Sequence, residues 1–266
     1  MSWILAFILA AVSAERRVRA EFFLVEEAPA ADLPGEDAVE TAPVALVVWR
    51  RVRSESGELL ERDVYFREDG IRIRHSERLA THVPGGLPRL VFRELRRKGG
   101  RTWLAELDRA QRRVEITEWG GVHALHEVWH FDAGVQMPLA LLELVRAGLV
   151  SGGRFECLEP LVGGTAAVFV TTHPGLVGVD GWVPAGLAAL LARGAADRTV
   201  ELRRGDGSLA GRFVFRGREL LASQWQAGGA WAYRIDAADY HRLLESWLQA
   251  VEKPQSVAEL LASIGR

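Results

Sequence analysis

Apolar and polar residues alternate through most of this chain in short runs, and Gly, Asp and Ser separate the runs. Val44–Arg53 and Glu58–Arg67 flank Ser54-Glu55-Ser56-Gly57, and Ile71–Arg78 follows Asp69-Gly70. Arg89–Arg97 and Arg101–Asp108 flank Lys98-Gly99-Gly100. Thr199–Arg204 and Ser208–Arg216 flank Gly205-Asp206-Gly207, and Arg218–Gln226 meets Ala230–Ile235 across Gly228-Gly229. A period of two places successive side chains on opposite faces of a strand. Gly and Asp at the joints supply the positive φ that tight hairpin turns require. Strands joined so briefly run antiparallel, so the pattern predicts a long meandering sheet.

The period changes at three places. Pro138 sits where a helix starts, and Leu139, Leu142, Leu144, Val145 and Leu149 recur at helical spacing until Gly148–Gly153 stops them. Pro184–Arg193 reads as a short Leu/Ala helix. Asp236 is a natural N-cap for a helix over Ala237–Val251, whose Tyr240, Leu243, Leu244, Trp247 and Leu248 form one stripe. Ser256-Val257-Ala258-Glu259 is a capping box for a last helix through Ile264. An earlier strand is expected over Val18–Glu26, and a further hairpin pairs Arg154–Leu161 with Thr165–Thr172 across Gly163-Gly164. The fold class expected is mainly β with helices (α+β): a curved antiparallel meander or half-open β-barrel packed on two or three helices.

Composition narrows the classes of function. With 48% hydrophobic residues and nine Trp in 266 residues there is ample material for a core. A formal net charge of −2 leaves no bulk field to draw the protein to nucleic acid or to an anionic membrane. Almost every cation is Arg, with Lys only at Lys98 and Lys253. The arginines read as solvated strand faces, since planar recognition of anions would need Arg clustered without matching acids. Cys157 stands alone in an apolar stretch, which excludes an intramolecular disulfide and points to a buried, inert thiol.

Trp3–Val12 is apolar, too short to span a bilayer and of the right length for the core of an export signal. Val12-Ser13-Ala14 offers small residues for cleavage after Ala14, although Arg16, Arg17 and Arg19 follow at once. The division expected is a signal peptide over 1–14, a strand and a flexible acidic loop over 15–43, and one β-rich domain over 44–266. That places the mature protein outside the cytoplasm, in the periplasm of a Gram-negative bacterium, with no transmembrane span.

One motif can carry chemistry. His126-Glu127-Val128-Trp129-His130 matches H-E-x-x-H, which on a helix sets two imidazoles on one zinc ion with the Glu as general base. On a strand the same two His stand ~13 Å apart at about 3.3 Å per residue. Zinc needs both nitrogens at roughly 2.0–2.1 Å, so the site exists only if this segment is helical. Val, Trp, Phe and His favour a strand here, and Gly120-Gly121 supplies a hairpin turn with Arg113–Trp119. A third ligand would have to come from Glu143, Glu156 or Glu159, while His123 at i−3 points elsewhere. Trp103, Trp119, Trp129, Trp225 and Trp231 recur along the strands, either as filler of one buried sheet face or as the lining of an apolar concavity.

The order of segments carries a resemblance. After the export signal and long strands comes the helix of Met137-Pro138-Leu139-Ala140-Leu141-Leu142-Glu143-Leu144-Val145-Arg146-Ala147-Gly148-Leu149. The strand Gly153-Arg154-Phe155-Glu156-Cys157-Leu158-Glu159-Pro160 and a closing hairpin ladder follow. Over roughly residues 44–235 this pattern resembles bacterial periplasmic proteins of unknown function related to the lipoprotein-carrier superfamily. The resemblance implies a half-open barrel around helices and a non-enzymatic binding or carrier role for a lipid, another apolar ligand or a cell-envelope partner. It implies no cofactor and no catalytic residue. The rival reading is a zinc-dependent hydrolase with His126 and His130 as ligands and Glu127 as base.

Overall fold

The structure is a computed structural model that describes residues 17–28, 43–54, 57–68, 70–80, 87–96, 100–120, 124–131, 134–159, 164–178, 182–225 and 229–252. The export signal, the acidic loop, His123 and the helix expected over 256–264 lie wholly or almost wholly outside them.

Among the described residues, fifteen strands and three helices follow in chain order. The first eight strands are β1 (Arg17–Glu27), β2 (Pro43–Ser54), β3 (Gly57–Phe66), β4 (Arg72–Ala80), β5 (Arg89–Leu95), β6 (Gly100–Asp108), β7 (Arg113–Trp119) and β8 (Ala124–His130). The short β9 (Val135–Gln136) leads into α1 (Pro138–Arg146), then β10 (Gly152–Glu159), β11 (Gly164–Pro174) and α2 (Ala185–Ala192). Strands β12 (Arg198–Arg204), β13 (Leu209–Arg216), β14 (Glu219–Trp225) and β15 (Ala230–Ile235) precede α3 (Ala237–Glu252).

All fifteen strands belong to one open sheet, in the order β8-β7-β6-β5-β4-β3-β2-β1-β15-β14-β13-β12-β11-β10-β9. It consists of two meanders, β1 to β8 and β9 to β15, joined where β1 pairs antiparallel with β15 from Phe22↔Ile235 to Glu27↔Ala230. Every pairing is antiparallel except that of β9 with β10. The first strand therefore sits in the middle of the sheet, and β8 and β9, neighbours in sequence, form its two ends.

The sheet is coiled, and three clusters fill it. On the concave face Leu141, Leu142 and Val145 of α1 pack with Phe23, Val47, Val64, Val200 and Phe215. On the convex face Leu187 of α2 and Tyr240 and Trp247 of α3 pack with Leu46, Val48, Leu221, Trp231 and Tyr233. The third cluster brings the two ends of the sheet together. Leu90, Phe92, Trp103, Leu107, Val114 and Ile116 of β5–β7 meet Val135, Met137 and Leu158. The five Trp do not share one buried face, as the filler reading required. Trp103 and Trp225 lie on the concave side and Trp231 on the convex side, while Trp119 is exposed. Helices on both sides of the central strands give either phase of the alternation a core to enter.

Local chemistry sets the helix ends. Pro138 opens α1, and Gly148 at φ +75° closes it, its N–H donating to the Val145 carbonyl. Asp236 caps α3 through the Asp239 N–H at 2.8 Å. Gly186 lets α2 lie against Tyr233, because a Cβ there would fall 2.5 Å from the ring.

Candidate functional site

The H-E-x-x-H segment is strand β8, paired with β7 from Arg113↔His130 to Trp119↔Ala124. Its period of two splits the motif. His126 and His130 are exposed on the convex side, with His126 Nδ1 3.3 Å from the Thr117 hydroxyl. Glu127 turns to the other side, where its carboxylate accepts from the Trp129 indole N–H at 2.9 Å. The two imidazoles are four residues apart on an extended chain, ~13 Å. Of the three carboxylates that could have completed the site, Glu143 pairs with Arg51 at 2.8 Å and Glu156 with Arg154 at 2.5 Å. Among the described residues no three His, Cys, Asp or Glu are grouped to hold a metal.

The polar groups that the fold does bring together surround α1. At its N-terminus Glu77 of β4, fully buried, accepts the N–H groups of Leu139 at 2.7 Å and Ala140 at 2.8 Å. Met137 provides no side-chain cap, so a carboxylate from a strand does the work and meets the positive end of the helix dipole. His75, also buried, places Nε2 2.9 Å from the same carboxylate. Arg62 stacks over Trp49 at 5.6 Å in the same region. Burial lowers the Arg62 pKa, while the charges of Glu77 and Glu159 oppose that shift.

The C-terminus of α1 is held by a cation. Arg198 of β12 donates to the carbonyls of Val145 and Arg146, each at 3.1 Å, and to Gly217, and stacks on Phe215 at 4.8 Å. The helix thus carries an acid at its positive end and a base at its negative end, supplied by strands on opposite arms of the sheet. On the flank of α1, Arg146 clamps Glu21 of β1 with two hydrogen bonds of 2.8 and 2.5 Å. Burial alone would raise the Glu21 carboxyl; hydrogen bonding and charge from Arg146, with Arg19 and Arg234 nearby, hold it below its ordinary value.

Beside this pair, between α1 and β1–β3, lies a cleft of ≈ 370 Å³ whose enclosed room is only ≈ 20 Å³. Trp49, Leu60 and Leu139 form its apolar floor, and Arg19, Arg51, Glu143 and Arg146 its charged rim. A wider groove of ≈ 1280 Å³ lies on the convex side, where Phe22, Leu190 and Ile235 line the space between α2 and the start of α3. Cys157 is buried beside α1, and burial, reinforced by the charges of Glu77, Glu156 and Glu159, pushes its thiol up to about 12. That removes it as a nucleophile at neutral pH.

The sequence reading missed Glu77, Arg198, Glu21 and Arg146. Only the Glu143–Arg146 spacing on α1, an i,i+3 pair, left a local signal.

No family model matches the chain, and no curated protein matches it. Among solved structures it is similar to a β-barrel-like protein of the domain of unknown function DUF1849 from Brucella abortus. The likeness has a TM-score of 0.53 at 11% identity and covers 84% of this chain and 96% of that one. At that identity the match speaks for the barrel-like fold alone.

Proposed function

We propose that this is an exported, non-enzymatic binding or carrier protein for an apolar ligand or a cell-envelope partner. The observation that carries the reading is the cleft beside α1. An apolar floor of Trp49, Leu60 and Leu139 under a rim of paired Arg and Glu side chains suits a molecule with a greasy body and a polar end. Its small enclosed room means that α1 must shift outward before a chain longer than a few atoms enters. That movement has to part the Arg146–Glu21 and Arg51–Glu143 pairs on the flank of α1, while Glu77 and Arg198 hold its two ends. Export rests on the apolar run Trp3–Val12 and the small residues before Glu15.

The test is native mass spectrometry of the full chain expressed in a Gram-negative host, with fractionation and N-terminal sequencing of the mature protein. The expected result is a periplasmic chain beginning at Glu15 with a co-purified lipid that Leu60→Trp removes. A cytoplasmic chain with no ligand, or stoichiometric zinc lost in His126→Ala, would overturn it.

A further inference from the structure

The convex face of the β4–β8 arm carries charges in an arrangement that costs stability. Arg74 of β4 stands directly opposite Arg93 of β5, and Arg78 directly opposite Arg89. Like charges so placed destabilise a sheet. At their convex positions β4 and β5 carry five arginines, Arg72, Arg74, Arg78, Arg89 and Arg93, and no carboxylate. Adjacent strands neutralise some of them: Asp63 binds Arg72 and Arg74, each through a contact under 3.0 Å. Glu106 pairs with Arg89 at 2.5 Å, and Glu115 farther along serves Arg113. Arg78 and Arg93 are exposed and have no acidic partner among the described residues.

Large apolar side chains are exposed on the same face, nearest to Arg93. The row that begins Arg74–Arg93 continues through Thr102 to Trp119, which is 44% exposed. Leu95 on β5 is 47% exposed and Val128 on β8 44% exposed, both on this same face. Among the described residues, α2 and α3 pack over the convex side of the central strands, and no helix packs over that of β5–β8.

We propose that the convex face of β4–β8 docks on an anionic lipid surface. Arg78 and Arg93 meet headgroup phosphates, and Leu95, Trp119 and Val128 settle at headgroup depth. Guanidinium groups without acids bind phosphate bidentately, and Trp prefers the boundary between hydrocarbon and water. Exposed apolar side chains beside unpaired cations favour a lipid surface, which offers phosphate and an apolar layer together, over an acidic protein segment, which offers charge alone. Because the whole chain has a net charge of −2, the attraction is local and therefore strongly screened by salt. This proposal is separate from ligand binding in the cleft beside α1.

Co-sedimentation of the full mature chain with phosphatidylcholine vesicles, with and without phosphatidylglycerol, tests it. Binding is expected only with phosphatidylglycerol and is expected to fall steeply with added salt. Arg78→Ala with Arg93→Ala should weaken it roughly 30-fold, while Arg242→Ala on α3 leaves it unchanged. The double variant relieves both like-charge pairs, so its Tm should hold or rise, which separates lost binding from lost folding. Equal binding to both vesicle types, no effect of the double variant, or binding to an acidic protein but not to vesicles would overturn the proposal. Co-purified lipid without vesicle binding would overturn this face and leave the cleft reading standing; vesicle binding without co-purified lipid would do the opposite.

Discussion

The central strands and the β4–β8 arm are built of the same kind of hairpin and use their faces differently. In β14 four consecutive residues, Leu220 to Ser223, are buried, because α1 lies on one side and α2 with α3 on the other. In β5 only Leu90 and Phe92 are buried, and in β7 only Val114 and Ile116, each two residues apart. A strand covered on both faces reads as an unbroken apolar run, and a strand covered on one face reads as an alternation. The middle of the sheet is therefore a core in the ordinary sense. The arm is a half-core with one face left for water or a partner.

The sharpest way to break this comparison is to exchange face for face within the arm. Trp103 on the concave side of β6 is completely buried, so Trp103→Ala should cost about 3–5 kcal/mol in urea unfolding. Trp119→Ala on the convex side of β7 should cost less than about 0.5 kcal/mol. Comparable losses would mean that the arm is covered on both faces.

Next in size is the link between arm and centre. Glu77 joins β4 to α1, and Glu77→Ala leaves two buried N–H groups uncapped and removes the nearest charge to Arg62 and His75. About 3 kcal/mol should be lost, with α1 released first. A protected α1 in Glu77→Ala, read by hydrogen exchange, would show that the cap contributes nothing.

Asp63 provides a smaller, pH-dependent comparison. It lies on the convex side where the centre gives way to the arm; burial would raise its pKa, but hydrogen bonds from Arg72 and Arg74 hold it at about 2. A carboxyl depressed in the folded state contributes stability above its unfolded value near 3.9 and loses it as pH falls through about 2. Wild-type stability should drop by about 2 kcal/mol over that interval, and Asp63→Asn should flatten that part of the curve. Smallest is Asp236→Ala, which removes the N-cap of α3 and should cost about 1 kcal/mol while leaving the arm unchanged.

Elements were legible in the sequence because their signals are local. Strand β1 falls over Arg17–Glu27 where Val18–Glu26 was expected, and Pro138, Asp236 and Gly148 mark helix ends as their chemistry requires. The strand character of 124–130 was legible too, from Val, Trp and His beside a glycine turn. What could not be read depends on the coil of the sheet. Glu77 reaches α1 across 62 residues and Arg146 reaches Glu21 across 125. No period or turn signal encodes that β1 closes against β15 or that β4 and β12 present opposite charges to the two ends of one helix. The Arg clusters show the same limit. Each strand read alone shows its arginines as a solvated face; only cross-strand register sets Arg opposite Arg.

Amide hydrogen exchange resolved along the chain tests the central claim most directly. The two-face centre predicts slow exchange throughout β1, β2 and β15. The one-face arm predicts faster exchange in β5–β7 than in β1, and the edge position of β8 leaves only its amides that point toward β7 protected. Uniform protection over residues 124–130, as an α-helix would give, or exchange in β8 as slow as in β1, would contradict it.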